Sequence, residues 1–319
     1  LVVVVGANPA WCHPVLFQRL LAARERRAGR PALVVLDPRR TASAECADLH
    51  VPLAPGSDAI FLTALLAELA RRGRLDRAWM HAHTENFEAL EAVLPDFAAE
   101  RVERECRVPR RSLEQVADFW CASGSVLSLW SMGVNQSAHG CDTAAAILNL
   151  QLATAQIGRP GAGPFSLTGQ PNAMGGRETG ALATLLPGHR RFESESDRRS
   201  LELLWRSAPI SAQPGRTAVE LFQHAAEGGC ELLWIAATNP AATLPDLALV
   251  RRALERTPLV VLQDVVASTD TAHFADLLLP AAGFAEKSGT MTISERRVSR
   301  LRAAVPAPGE ARPDWQIVA

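Results

Sequence analysis

Apolar positions along the chain come in two textures. Short unbroken runs, "LVVVV" ending at Gly6, "PALVVL" ending at Asp37, "LLWIA" and "PLVVL", have the length of buried strands. Longer stretches mix apolar and polar residues at helical spacing. "PVLFQRLLAARERR" predicts a helix with Pro14 in its first turn, and "SDAIFLTALLAELARRG" a helix starting near Ser57 or Asp58 and stopped by Gly73. "SLEQVADFWCAS" is expected to open with a capping box from Ser112 to Gln115. "SVLSLWSMG" reads as a strand running into a loop. "DTAAAILNLQLATAQIG" predicts a buried helix capped by Asp142 and stopped by Gly158. "GPFSLTGQPNAMGG", Gly163 to Gly176, reads as neither strand nor helix, and the residues after it as polar and irregular to about 215. "TAVELFQHAAEGG" repeats the capping box, Thr217 to Glu220, and strands and helices then alternate to about 280. The alternation predicts an α/β protein with two doubly wound domains and mostly parallel sheets.

The second half echoes the first. "VVVVGANPA", a helix and "PALVVLD" return as "LLWIAATNPA", a helix and "PLVVLQD". Each unit is a strand, an Asn-Pro turn at Asn8 or Asn239, a helix, and a strand ending in Asp37 or Asp264. In doubly wound sheets ligands bind at the carboxyl ends of strands, where both marked positions fall. An Asp there can accept paired N–H groups from a purine edge or hydroxyls from a ribose. Two unrelated Asn turns are the plainer reading. Neither turn carries GxGxxG, which disfavours ordinary NAD binding.

At 319 residues the chain suits two domains, divided here as 1–170, 171–285 and a connecting segment 286–319. A net charge of −1 gives no reason to expect a nucleic-acid or membrane-surface partner, and no apolar run is long enough to span a membrane. Six cysteines without a CxxC pair carry no metal signature and suit reduced thiols in a cytoplasmic protein. Lys287 is the only lysine; arginine suits phosphates, and codon usage is the blander cause. Leu1 inside a strand-like run, and an end inside "PDWQIVA", predict a piece of a longer chain.

The Gly163–Gly176 stretch combines glycines with Ser166, Thr168, Gln170 and Asn172, a cluster of neutral hydrogen-bonding side chains. With "VGANPAWCHP", "VVLDPR", "PLAPGSDA", "WSMGVNQSAHG", "AATNPAATLPD", "VVLQDVVASTDTA" and "ADLLLPAAGFAEKSGT", it resembles, in order and over nearly the whole chain, the molybdopterin oxidoreductases, and among them the catalytic subunit of bacterial assimilatory nitrate reductases.

The resemblance implies a molybdenum bis(molybdopterin guanine dinucleotide) cofactor, each α/β domain taking one guanosine arm. It implies a first site of Asn8, Cys12, His13, Asp37, Arg39, Gly56 and Asp58, and a second of Thr238, Asn239, Gln263, Asp264 and Thr269. Met132, Gly133, Gln136, Gln170 and Asn172 would sit near the pterins, and Thr168 on the substrate side. The molybdenum ligand, a [4Fe–4S] cluster and a C-terminal domain would lie outside this chain, which would then be inactive alone. The implied reaction is reduction of nitrate to nitrite. Its electrons would come from ferredoxin, flavodoxin or an NADH-linked subunit. Two alternatives stand: a formate dehydrogenase of the same superfamily, which usually has Arg at the place of Thr168, and a non-catalytic structural or electron-relay relative.

Overall fold

The computed structural model describes residues 1–26, 30–293 and 295–319. The chain divides into two compact units, Leu1–Gly169 and Gln170–Ala319.

In the first unit, β1 (Val2–Val5), β2 (Leu33–Leu36), β3 (Leu49–Val51), β4 (Leu127–Trp130) and β5 (Gly163–Ser166) form a parallel sheet in the order β3-β2-β1-β4-β5. The unbroken apolar runs are explained by burial on both faces. Val2, Val4, Leu33 and Val35 pack under α1 (Pro9–Cys12), α2 (Pro14–Arg26) and α3 (Ala42–Glu45). Val3, Val5, Val34 and Leu36 face α4 (Asp58–Arg71), whose Phe61, Leu65 and Leu69 are fully buried. The same layer holds α5 (Arg77–His83), α6 (Phe87–Val93), α7 (Ala99–Arg101) and α8 (Arg110–Cys121). After β4 come the one-turn α9 (Met132–Asn135) and α10 (Gly140–Ala153).

Three local expectations are corrected here. Helix α8 begins at Arg110, so Ser112 lies inside its first turn and caps nothing. Pro109 sets the extended entry, and the first free N–H, that of Arg110, donates to Glu103 Oε1 at 2.9 Å, a cap supplied from outside the helix. Helix α10 begins before Asp142 and ends at Ala153, well before Gly158. Ala155 turns left-handed (φ 51°), and Gln156 swings inward to accept Val126 N–H on Oε1 at 2.9 Å. The start of β4 therefore sets the end of α10. Third, Gly163–Ser166 is a strand. Gly163 and Leu167 donate their N–H groups to Val126 and Trp130, so Pro164 points its missing donor away from the sheet, as an edge strand allows.

The second unit holds α11 (Ala173–Glu178), α12 (Glu195–Trp205), α13 (Ala218–Ala226), β6 (Leu232–Ala236), α14 (Pro240–Thr243), α15 (Leu247–Arg256), β7 (Leu259–Asp264) and β8 (Leu277–Pro280). A hairpin of β9 (Gly289–Thr292) and β10 (Val298–Leu301), and α16 (Asp314–Val318), follow. Helices α11 and α12 correct the irregular reading of this region. For α12 the signals were present: Ser194 accepts Asp197 N–H as a cap, and Glu195 and Asp197 occupy the first turn. The Thr217–Glu220 capping box forms as expected. Strands β6, β7 and β8 are parallel and adjacent in that order. Leu233, Ile235, Val260 and Leu262 pack with α13 and α15, whereas Leu232 and Trp234 on the opposite face are about half exposed. Among the described residues no helix is long and apolar enough to cross a membrane.

Candidate functional site

The duplicated pattern is a duplicated geometry. Asn8 and Asn239 have the same backbone angles, φ −119°, ψ 72° and φ −120°, ψ 72°. Each follows a left-handed residue two positions earlier, Gly6 (φ 53°) and Ala237 (φ 54°), whose N–H donates to Leu36 and Gln263 respectively. Asn8 Oδ1 accepts from the Ser43 hydroxyl at 2.7 Å, and Asn239 Oδ1 from the Thr271 hydroxyl at 2.7 Å. Asp48 accepts Leu33 N–H, and Asp276 accepts Val260 N–H, both at 2.8 Å. The repeat therefore extends over strand, turn, helix, strand, second turn and the start of a third strand. Ser43, Thr271, Asp48 and Asp276 were not singled out from the sequence. Aligning the two halves on their Asn and Asp residues brings a hydroxyl residue into nearly the same place in each.

In the first unit a cavity of about 370 Å³ opens at the carboxyl ends of β1, β2 and β4. Adjacent β1 and β4 are where the strand order reverses, the usual place for a ligand in an open parallel sheet. Asn8 and Cys12 come from the first turn, Asp37 and Arg39 from the end of β2, Gly56 and Asp58 from the entry to α4, and Met132 and Gly133 from the turn after β4. Ser131, which the sequence reading passed over, also lines the cavity and donates its hydroxyl to Leu167 O at 2.7 Å. A larger hollow of about 500 Å³ lies among α4, α6 and α8, away from the strand ends, and gathers none of these residues.

The two carboxylates differ. Asp37 is buried and its Oδ1 accepts Arg39 N–H at 2.9 Å. Asp58 is held above the ordinary carboxylate value first by burial and also by the Asp37 charge, while a hydrogen bond to its own N–H acts against both. Among the described residues no Arg or Lys is ion-paired with either. The site thus keeps two acceptors turned to a cavity, with Arg39 exposed at its rim. That donor-hungry arrangement fits a ligand bearing N–H and hydroxyl groups.

His13 does not line the cavity. Its Nε2–H donates to the Thr168 carbonyl at 3.0 Å, which leaves Nδ1 as a buried acceptor with no partner among the described residues. Gln136 caps the end of α9 and is exposed; Thr168 is half-buried and Gln170 exposed. In the second unit, Asn172 Oδ1 accepts Thr292 N–H at 2.9 Å. Thr238 is exposed at the first turn, Asp264 Oδ1 accepts Val265 N–H at 2.6 Å, and Thr269 Oγ1 accepts Ala272 N–H at 3.2 Å. Gln263 is turned inside: Nε2 donates to Asp314 at 3.0 Å, and Oε1 is a second buried acceptor without a partner among the described residues. Asn239, Gln263, Asp264 and Thr269 all sit at the carboxyl ends of β6 and β7 or in the turns that follow.

A parallel sheet with a cavity at its strand-order reversal, and a second copy of the same turn geometry, define a doubly wound α/β protein. The chain belongs to the molybdopterin oxidoreductase family, whose model matches residues 1–319. It is 49% identical over 322 residues to a nitrate reductase of Klebsiella oxytoca, covering 100% of this chain and 36% of that protein. It is 33% identical over 315 residues to a formate dehydrogenase alpha subunit of Methanococcus maripaludis, covering 99% of this chain and 46% of that one. The chain therefore spans less than half the length of these curated relatives. Acetylene hydratase from Pelobacter acetylenicus shares the fold, with a TM-score of 0.74 at 18% identity over 99% of this chain and 46% of that structure.

Proposed function

We propose that this chain is the cofactor-cradling part of a molybdenum nitrate reductase that carries bis(molybdopterin guanine dinucleotide). The observation that carries the reading is the whole-chain identity, 49% to a protein named nitrate reductase against 33% to one named formate dehydrogenase. When bound, the cofactor supplies the oxygen-atom and two-electron chemistry, with nitrate, two electrons and two protons giving nitrite and water.

The residues of this chain bind and orient. Asp37 and Asp58 accept from the guanine edge and ribose hydroxyls of the first arm, which satisfies two carboxylates that otherwise face each other. Gly56, Cys12 and Arg39 complete that wall. Thr238, Asn239, Asp264 and Thr269 form the corresponding wall for the second arm, with Gln263 behind it. His13 holds the Thr168 carbonyl, and Thr168 offers nitrate a neutral hydroxyl without the bulk and charge of an arginine. Met132, Gly133, Gln136, Gln170 and Asn172 are assigned to the pterin surroundings. The electron donor, a cluster-linked ferredoxin, flavodoxin or NADH-linked subunit, and the cytoplasmic setting belong to the same proposal.

The test is steady-state assay of the full-length protein, loaded with molybdenum, using a reduced viologen dye and nitrate. Nitrite formation, together with two guanine nucleotides released per molybdenum on denaturation, supports it. A fully loaded enzyme that oxidises formate and leaves nitrate untouched would sink it.

A further inference from the structure

The two first-turn asparagines are held from behind, and the chemistry of the holding atoms fixes which way their amides face. Ser43 N–H can only donate, so the Asn8 atom 3.3 Å from it is Oδ1; Thr271 N–H, 3.0 Å from Asn239, fixes the second amide in the same way. Each hydroxyl then has two tasks. Ser43 donates to Asn8 Oδ1 and accepts Ala10 N–H at 3.0 Å; Thr271 donates to Asn239 Oδ1 and accepts Ala241 N–H at 3.1 Å. Both hydroxyl residues are fully buried. The asparagines sit at the N-cap positions of α1 and α14 without capping them through their side chains. The buried hydroxyl meets the free helix N–H in their place.

The acceptor oxygen of each asparagine is thereby used up, and the hydrogen-bonding capacity that remains is Nδ2, a donor. Asn8 lines the cavity, and among the described residues its Nδ2 makes no hydrogen bond. Asn239 Nδ2 does have a partner, and that partner is an anionic oxygen, Asp270 Oδ2, at 3.0 Å. In doubly wound sheets the first turn after the first strand is where a nucleotide's phosphates approach. The base-type acceptors of this cavity, Asp37 and Asp58, come from other turns.

We propose that Ser43 and Thr271 are positioning residues that lock the amides of Asn8 and Asn239 with Nδ2 outward, toward an anionic oxygen: a phosphate oxygen of the bound nucleotide at Asn8, and Asp270 at Asn239. This rests on the proposed nucleotide-bearing cofactor. It makes the two turns unequal, because the donor in the second unit is already paired with Asp270 whereas the donor in the first is available.

The experiment is calorimetric titration of the full-length, cofactor-free protein with two probes, GDP and guanosine. Ser43→Ala is expected to weaken GDP binding at one site at least ~10-fold while guanosine binding changes less than ~2-fold, since only the diphosphate loses its oriented donor. Ser43→Thr keeps the hydroxyl and should restore GDP binding. Asn8→Asp keeps both contacts to Ser43 but replaces the donor with an anionic oxygen, and should lose GDP binding with its thermal midpoint retained. Equal GDP binding by wild type, Ser43→Ala and Asn8→Asp overturns the proposal alone. Parallel loss of GDP and guanosine in Ser43→Ala shows a collapsed wall and also overturns it. A wild type that binds neither probe overturns the nucleotide reading itself, and the proposal with it.

Discussion

Gly133 donates its N–H to the Gly6 carbonyl at 2.9 Å, and a Cβ placed on Gly133 would lie 2.6 Å from that same oxygen. The turns after β1 and β4 are thus welded backbone to backbone at the floor of the cavity. Gly133→Ala cannot be absorbed by a side-chain rotation, because the obstructing atoms are main chain. It should destabilise the protein by about 1–3 kcal/mol, as overpacking does, and lower cofactor content in the full-length protein. Urea denaturation checks the first effect and molybdenum analysis the second; an unchanged urea midpoint would contradict the contact.

Asp58 stores a pH dependence. Its folded pKa lies above the ordinary 3.8, so the folded state binds its proton more tightly than the unfolded chain does. The stability this contributes is full below pH 3.8 and is lost as pH rises through the raised value. At neutral pH the charged carboxylate is therefore a net cost in the cofactor-free protein. Asp58→Asn should raise the neutral-pH urea midpoint and flatten its decline over that acidic window, while Asp58→Ala and Asp58→Asn both retain less cofactor than wild type. A neutral-pH midpoint that falls in Asp58→Asn would reverse the sign and refute the assignment.

Gln156 joins the end of α10 to the start of β4: Oε1 accepts Val126 N–H at 2.9 Å and Nε2 donates to Thr154 O at 2.9 Å, all buried. Gln156→Ala strands a buried backbone donor, which costs about 1–3 kcal/mol. Hydrogen exchange at Val126 should accelerate more than exchange across β2, and a uniform change would show that the link is not local.

The bond that ties Thr168 to His13 is made by the Thr168 backbone carbonyl. In the loaded full-length enzyme, Thr168→Arg should lower kcat/KM for nitrate at least ~10-fold, about 1.4 kcal/mol of transition-state stabilisation, with cofactor content unchanged. Normal nitrate kinetics in a fully loaded variant would place Thr168 away from the substrate.

Much of the fold is written locally. The runs at Val2–Val5 and Leu33–Leu36 could only be strands buried on both faces, and the Thr217–Glu220 box closes within one turn of helix. The pairing of Asn8 with Asn239 was legible because turn chemistry depends on neighbours in sequence. The cavity residues Asp37 and Asp58 were legible through their motifs, but not their mutual field, which exists only once β2 and α4 pack side by side. The partners Ser43 and Thr271 lie 35 and 32 residues from the asparagines they hold. The start of α8 was decided by Glu103, the end of α10 by the needs of Val126, and the strand at Gly163–Ser166 by the open edge of β4. Propensity and periodicity determine which torsions a segment prefers and which face it buries. Hydrogen bonds and fields between segments far apart in sequence arise only when packing brings them within a few ångströms, and such contacts orient the amides of Asn8 and Asn239.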